Sequence, residues 1–192
     1  MKKRLGLIID QERCIGCEAC TVACKIENRG AKGWIRVKTL NVAQKDTPEG
    51  RFPDLKMHFF PQLCQHCERP PCVEACPIEA LTKHEDGPVS LDKEKCDGCQ
   101  TCLDACPYDA LIFNNEMDKA EKCNLCSHRI NQGLEPFCVI CCEGQAIYFG
   151  DLNDSNSRVA KIIADRETFQ LHPDEGTGPG IYYCPPSSPR GL

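Results

Sequence analysis

Sixteen of the eighteen cysteines fall into four quartets: Cys14, Cys17, Cys20 and Cys24; Cys64, Cys67, Cys72 and Cys76; Cys96, Cys99, Cys102 and Cys106; and Cys123, Cys126, Cys138 and Cys142. The first and third run C-x2-C-x2-C-x3-C. A loop of that spacing curls three thiolates around one face of an iron-sulfur cube. The second quartet carries two extra residues before its third cysteine, and in the fourth eleven residues separate Cys126 from Cys138. All sixteen cysteines are therefore candidate iron ligands, and four quartets predict four 4Fe-4S clusters. Four cubes in one small chain imply a relay of single electrons.

In a ferredoxin-type run the fourth cysteine points away from its own loop and ligates the other cluster of a pair. Quartets therefore work in twos. The second and third both end in Cys-Pro and pair as one unit, with Cys64, Cys67, Cys72 and Cys106 on one cube and Cys96, Cys99, Cys102 and Cys76 on the other. That leaves the first and fourth, in which Lys25 and Glu143 replace the proline. Their cubes would be held by Cys14, Cys17, Cys20 and Cys142, and by Cys123, Cys126, Cys138 and Cys24. One ferredoxin-like unit is thus nested inside another.

Other uses of cysteine fit less well. Disulfide scaffolds belong to small secreted chains and lack repeated C-x2-C-x2-C-x3-C runs. Zinc favours C-x2-C pairs across a longer spacer, and a third cysteine two residues on crowds a tetrahedral ion. A radical enzyme needs C-x3-C-x2-C, which does not occur in this sequence.

With 192 residues split between two small units, neither can bury a large apolar core, and the mean hydropathy is −0.40. Clusters should supply much of the folding energy, so the cluster-free chain is expected to be largely unfolded. The formal charge is −5 with cysteines neutral. Sixteen thiolates and four oxidised cores of about +2 each add roughly −8, which argues against a nucleic-acid partner. Lys2, Lys3 and Arg4 precede an apolar run too short for a signal peptide, and that stretch reads as a strand entering the first cluster loop. No segment has the length of a membrane span. The expected location is cytoplasmic, or exported together with a signal-bearing partner.

The elements that must position the cysteines are short. The 39 residues between Cys24 and Cys64 contain strand-like alternation at Trp34 to Leu40 and Leu55 to Phe60, with a loop at Asp46 to Pro53 between them. Ala80 to Asp92 reads as a hairpin, and Ala110 to Asn114 opens a similar element. One-turn helices are expected at Val73 to Cys76 and Leu103 to Cys106. A longer helix is expected at Ser157 to Ala164, capped by Asp154, Ser155 or Ser157. The predicted class is α+β: an outer ferredoxin-like unit (1–30 plus 117–150), an insertion (31–59), an inner unit (60–116), and a helix with an extended C-terminal arm (151–192).

That arm is rich in proline and glycine and carries Tyr182 and Tyr183, which reads as a docking segment for a partner. Outside the quartets, Cys141 is expected to be a buried spectator and Cys184 a tail thiol. Among the five histidines, none shows metal-like pairing, and His66, inside the second loop, is expected to pack or hydrogen-bond. Lys25, Lys122 and Arg129 flank cluster loops, where a cation would stabilise a reduced, more negative cluster.

The chain resembles the four-cluster iron-sulfur subunits of the dimethyl sulfoxide reductase family of molybdenum or tungsten enzymes. The resemblance covers nearly its whole length: C-I-G-C-E-A-C-T-V-A-C-K from Cys14, C-E-R-P-P-C within Leu63 to Pro77, C-P-Y ending at Tyr108, and K-C-N-L-C-S-H-R from Lys122. E-G-R-F-P-D at Glu49, F-G-D-L-N-D at Phe149 and G-T-G-P at Gly176 look like the polysulfide, thiosulfate and arsenate reductase branch. Glu143 departs from the C-P-T-G-A-like end of the family's fourth motif. The resemblance implies a non-catalytic subunit. It would pass electrons between a large catalytic subunit, holding a bis-pterin molybdenum or tungsten cofactor, and a quinone-linked membrane subunit, cytochrome or soluble carrier. The alternatives are a freestanding polyferredoxin-like carrier, or the equivalent subunit of a hydrogenase or formate dehydrogenase.

Overall fold

Residues 2–29, 33–40 and 47–186 are described by a computed structural model. The apolar run near the N-terminus forms strand β1 (Leu5–Asp10), buried along its whole length because it has strands on both edges. β8 (Ile147–Asp151) pairs antiparallel, with Leu5 opposite Asp151 and Ile9 opposite Ile147. β9 (Ile181–Cys184) pairs parallel on the other edge, with Leu7 opposite Ile181 and Asp10 opposite Cys184. Side chains alternate across a strand, so Leu7 and Ile9 enter the main core with Ile147, Ile181 and Tyr183, whereas Ile8 faces Tyr148, Val159 and Cys184. Helix α6 (Arg158–Asp165) closes that second face with Val159, Ile162 and Ile163, one apolar stripe at helical spacing. Its N-cap is Ser157, whose Oγ accepts the Ala160 N–H at 3.1 Å.

Three antiparallel hairpins connect the cysteine loops. β2 (Arg36–Leu40) pairs with β3 (His58–Gln62), β4 (Leu81–Lys83) with β5 (Val89–Leu91), and β6 (Leu111–Asn114) with β7 (Lys119–Lys122). The helices beside the cysteines are α1 (Ala19–Asn28), α2 (Pro71–Glu74), α3 (Thr101–Asp104), α4 (Ser127–Ile130) and α5 (Phe137–Ile140). α2 and α3 last one turn and begin two residues earlier than the sequence suggests. Pro77 and Pro107 follow closely and cannot continue a helix. Where Lys25 stands in place of that proline, α1 continues to Asn28.

The architecture is α+β. One expectation is overturned: through Cys184 the C-terminal segment is not an arm held out for a partner. Backbone groups of its strand find partners on β1, and Tyr183 is fully buried, stacked between Phe60 (4.7 Å) and Phe169 (5.6 Å). Its hydroxyl donates to the Pro61 carbonyl at 3.3 Å. Glycine and proline here serve the tight turns through Gly176 and Gly178 that aim the chain back into the sheet. Cys184 accordingly lies in the core and not in a tail. Residues 187–192 of the expected arm, and Asp46 of the expected loop, lie outside the described residues.

Candidate metal-cluster sites

The third and fourth cysteines of each quartet are four residues apart, one helical turn, so they stand beside each other while their thiols face different cavities. This puts neighbouring loops in contact. The structure gathers Cys14, Cys17, Cys20 and Cys142 around a cavity of about 340 Å3 (site 1). Cys64, Cys67, Cys72 and Cys106 surround one of about 310 Å3 (site 3), and Cys76, Cys96, Cys99 and Cys102 one of about 290 Å3 (site 4). The remaining four, Cys24, Cys123, Cys126 and Cys138, are all buried and lie within electrostatic reach of one another (site 2). Cys138 also feels Cys20 of site 1, and Cys123 feels Cys64 of site 3. Together with α2 and α3, which lead from Cys72 to Cys76 and from Cys102 to Cys106, these contacts give the order site 1, 2, 3, 4.

Each C-x2-C loop turns through a left-handed residue at its third position: Gly16 (φ +69°), His66 (+46°), Gly98 (+80°) and Leu125 (+56°). Glycine is needed in two of them for packing as well as for φ. A Cβ on Gly16 would lie 2.4 Å from the Phe59 ring, and one on Gly98 would lie 2.5 Å from the Asp118 carbonyl oxygen. In the other two loops, His66 and Leu125 accept the conformation and are fully buried between sites.

The sites suit iron-bound thiolates. Backbone N–H groups aim at sulfur: Ala80 at Cys76 (3.3 Å), Ala146 at Cys142 (3.2 Å) and Leu125 at Cys123 (3.4 Å). Ala110 serves Cys106 in the same way. In three quartets the donor is thus the alanine four residues after the last cysteine, reached through a left-handed residue: Glu79, Asp109 or Gln145. The first quartet, whose helix continues, takes its N–H from Trp34 beyond the insertion. The Asn28 amide stands 3.7 Å from Cys24 Sγ and 3.9 Å from Cys126 Sγ, and the Thr177 hydroxyl hydrogen-bonds Cys67. Burial pushes the Cys20 and Cys72 thiols up to about 12 and Cys24, Cys67 and Cys102 to about 11; Cys123 and Cys138 are raised as well. Thiols so placed keep their protons until a metal supplies the opposing charge. All eighteen cysteines are free, and among the described residues no three His, Cys, Asp or Glu side chains converge as they would around one ion.

The charged neighbours divide. Lys25 is exposed, and Arg129 is engaged with Glu27 at 3.3 Å and with the Phe137 ring. Lys122 is only 3% exposed; its Nζ donates to the carbonyls of Val89 and Cys123, and its charge acts on Cys72 and Cys123. It is a buried cation between sites 2 and 3. Cys141 is half-buried. Spacing alone offered no hint of Thr177, Asn28 or the alanine N–H groups as neighbours of sulfur, although the repeated alanine four residues after Cys76, Cys106 and Cys142 was visible.

Two overlapping stretches match models of the 4Fe-4S dicluster domain, residues 13–80 and 55–152. The chain belongs to the 4Fe-4S dicluster family. It is 43% identical, over 93% of its length and 78% of the relative's, to a Halobacterium salinarum protein provisionally named as the second iron-sulfur subunit of a dimethyl sulfoxide reductase. It is 41% identical to the second subunit of tetrathionate reductase from Salmonella typhimurium (95% of this chain, 72% of the relative). It is 37% identical to the second polypeptide of polysulfide reductase from Wolinella succinogenes (96% of each). This 4Fe-4S protein is an iron-sulfur electron-transfer subunit of the dimethyl sulfoxide reductase type. Among its described residues no helix is long and apolar enough to cross a membrane.

Proposed function

We propose that this iron-sulfur subunit holds four 4Fe-4S clusters, one per site, with the sixteen quartet cysteines as ligands and the four sites forming one relay in the order 1, 2, 3, 4. The observation that carries the reading is that every site draws its thiols from two separate loops, as cross-ligation requires. Cubes so bound would each take up and release one electron. The chain's own part is to hold them in line, to shield the middle pair, and to expose one cysteine at each end. Cys17 of site 1 and Cys99 of site 4 are exposed, while neither middle site has an exposed thiol. Sites 1 and 2 form the outer unit (1–30 plus 117–150), and sites 3 and 4 the inner one (60–116).

On this reading the subunit performs no substrate chemistry and serves a large molybdenum or tungsten catalytic subunit, with a membrane subunit or soluble carrier at the other end. The names of the relatives, all second subunits of reductases, support the catalytic partner. Its location, cytoplasmic or exported with a signal-bearing partner, follows the partner's. Anaerobic purification from the native host with metal analysis tests this. About sixteen irons per chain are expected from the cube stoichiometry, with molybdenum or tungsten in a co-purifying larger subunit. Iron near half that value, or stoichiometric zinc, would sink the cluster assignment. A monomer without such a partner would replace the subunit reading with that of a freestanding carrier.

A further inference from the structure

Sites 2 and 3 meet at one side chain. His66 belongs to the loop that carries Cys64 and Cys67 of site 3, yet its Nε2 lies 3.5 Å from Sγ of Cys123 in site 2. The Val89 N–H donates to Nδ1 at 3.0 Å, so Nδ1 is the acceptor and the ring proton sits on Nε2, directed at the sulfur. The ring is 1% exposed, and no water competes for that proton. At the matching position of the two end loops stand Gly16 and Gly98, with no side chain to reach anything. A left-handed conformation at a residue with a Cβ costs about 1–2 kcal/mol. Glycine would relieve that cost, so the contacts of the imidazole are what offset it.

We propose that His66 is a positioning residue for electron transfer, donating Nε2–H to the Cys123 thiolate and so raising the reduction potential of the cluster at site 2 from within the loop of site 3. A hydrogen bond to a ligand sulfur favours the reduced, more negative cluster. The Val89 N–H fixes the tautomer, and the His66 carbonyl oxygen accepts from Lys83 Nζ at 3.3 Å, which anchors the loop. The proposal rests on the four-cluster reading.

Two variants of the full protein separate tuning from packing. In His66→Asn the side-chain oxygen occupies the region of Nδ1, accepts the Val89 N–H and tolerates the left-handed backbone, but stops short of Cys123. In His66→Gln the longer amide reaches toward the sulfur and restores a donor. EPR-monitored redox titration should show one midpoint potential moved to a more negative value in His66→Asn and returned toward wild type in His66→Gln. Iron content and the other potentials should be unchanged. Identical potentials in all three proteins, or equal shifts in both variants, would overturn the proposal. A second readout needs no folded variant: reduced wild-type protein labelled with 15N-histidine should show a histidine nitrogen coupled to a cluster by pulsed EPR, and no such coupling would overturn it equally. Low iron in the wild type would instead fail the four-cluster reading, before any potential is compared.

Discussion

The two ends of the cysteine array and its middle are built from the same loop, but they are finished differently. At the ends, sites 1 and 4, the turning residue is glycine and one cysteine is exposed. In the middle, sites 2 and 3, the turning residues are His66 and Leu125, both fully buried, and Lys122 places an ammonium among the thiols with only backbone carbonyls as neutral partners. Electron exchange with a partner needs close approach, which an exposed cysteine allows. Shielded sites have no such need. There, buried donors and a buried charge act through a low dielectric and are felt more strongly than at the surface.

The largest effect that would break this contrast comes from removing iron. Anaerobic chelation should unfold the chain, lowering far-UV ellipticity and shifting emission of Trp34, the single tryptophan, because buried thiols without metal leave little core to hold the loops. Iron should leave sites 1 and 4 before sites 2 and 3, seen as loss of their EPR signals first. Uniform loss would show that exposure does not distinguish the ends.

Next is Tyr183→Ala. Tyr183 touches the middle, since Gln65 Nε2 donates to its hydroxyl at 3.2 Å, beside Cys64. Truncating a buried aromatic costs about 3–5 kcal/mol, read as a lower denaturation midpoint, with site 3 the first to lose iron. The same logic reverses the expectation for a cut before Thr177, which would also remove the hydrogen bond to Cys67 and the strand partner of β1. A truncation that kept full iron content would restore the docking-arm reading.

Lys122→Met should lower the potentials of sites 2 and 3 and leave sites 1 and 4 in place. A shift of about 60 mV would correspond to about 1.4 kcal/mol of lost interaction for one electron. Equal shifts at all four would show that the cation acts as general charge and not locally.

The smallest effect belongs to Glu27, outside the array. Its carboxyl is held below the usual 4.5, first by the hydrogen bond from His128 at 2.7 Å, with burial opposing and Arg129 adding to the lowering. A depressed carboxylate contributes stability that is present above about pH 4.5 and lost as pH falls through its lowered value. Glu27→Gln should therefore cost no more than about 1 kcal/mol near neutrality, with the difference from wild type shrinking toward pH 4 in thermal melts.

Much of this subunit was legible in its sequence. Cysteine chemistry and one-turn spacing are local, so the quartets, the short helices beside them, the hairpin at Leu81–Leu91 and the capped helix after Ser157 could be read residue by residue. The one-turn step between third and fourth cysteines also indicates which loops must meet. Tertiary structure decided the rest, because those contacts join residues far apart in the chain. Composition made the C-terminal segment look like an arm, but an open edge of β1 gave Ile181–Cys184 a strand to join and a core for Tyr183. No spacing rule places the Thr177 hydroxyl at Cys67, the Trp34 N–H at Cys24, or the His66 ring between two sites. The sequence by itself determined what could be bound, because ligand type and spacing are covalent facts. Which donors and charges surround each sulfur was settled only when distant loops closed on one another, since hydrogen bonds and fields depend on distance through space and not along the chain.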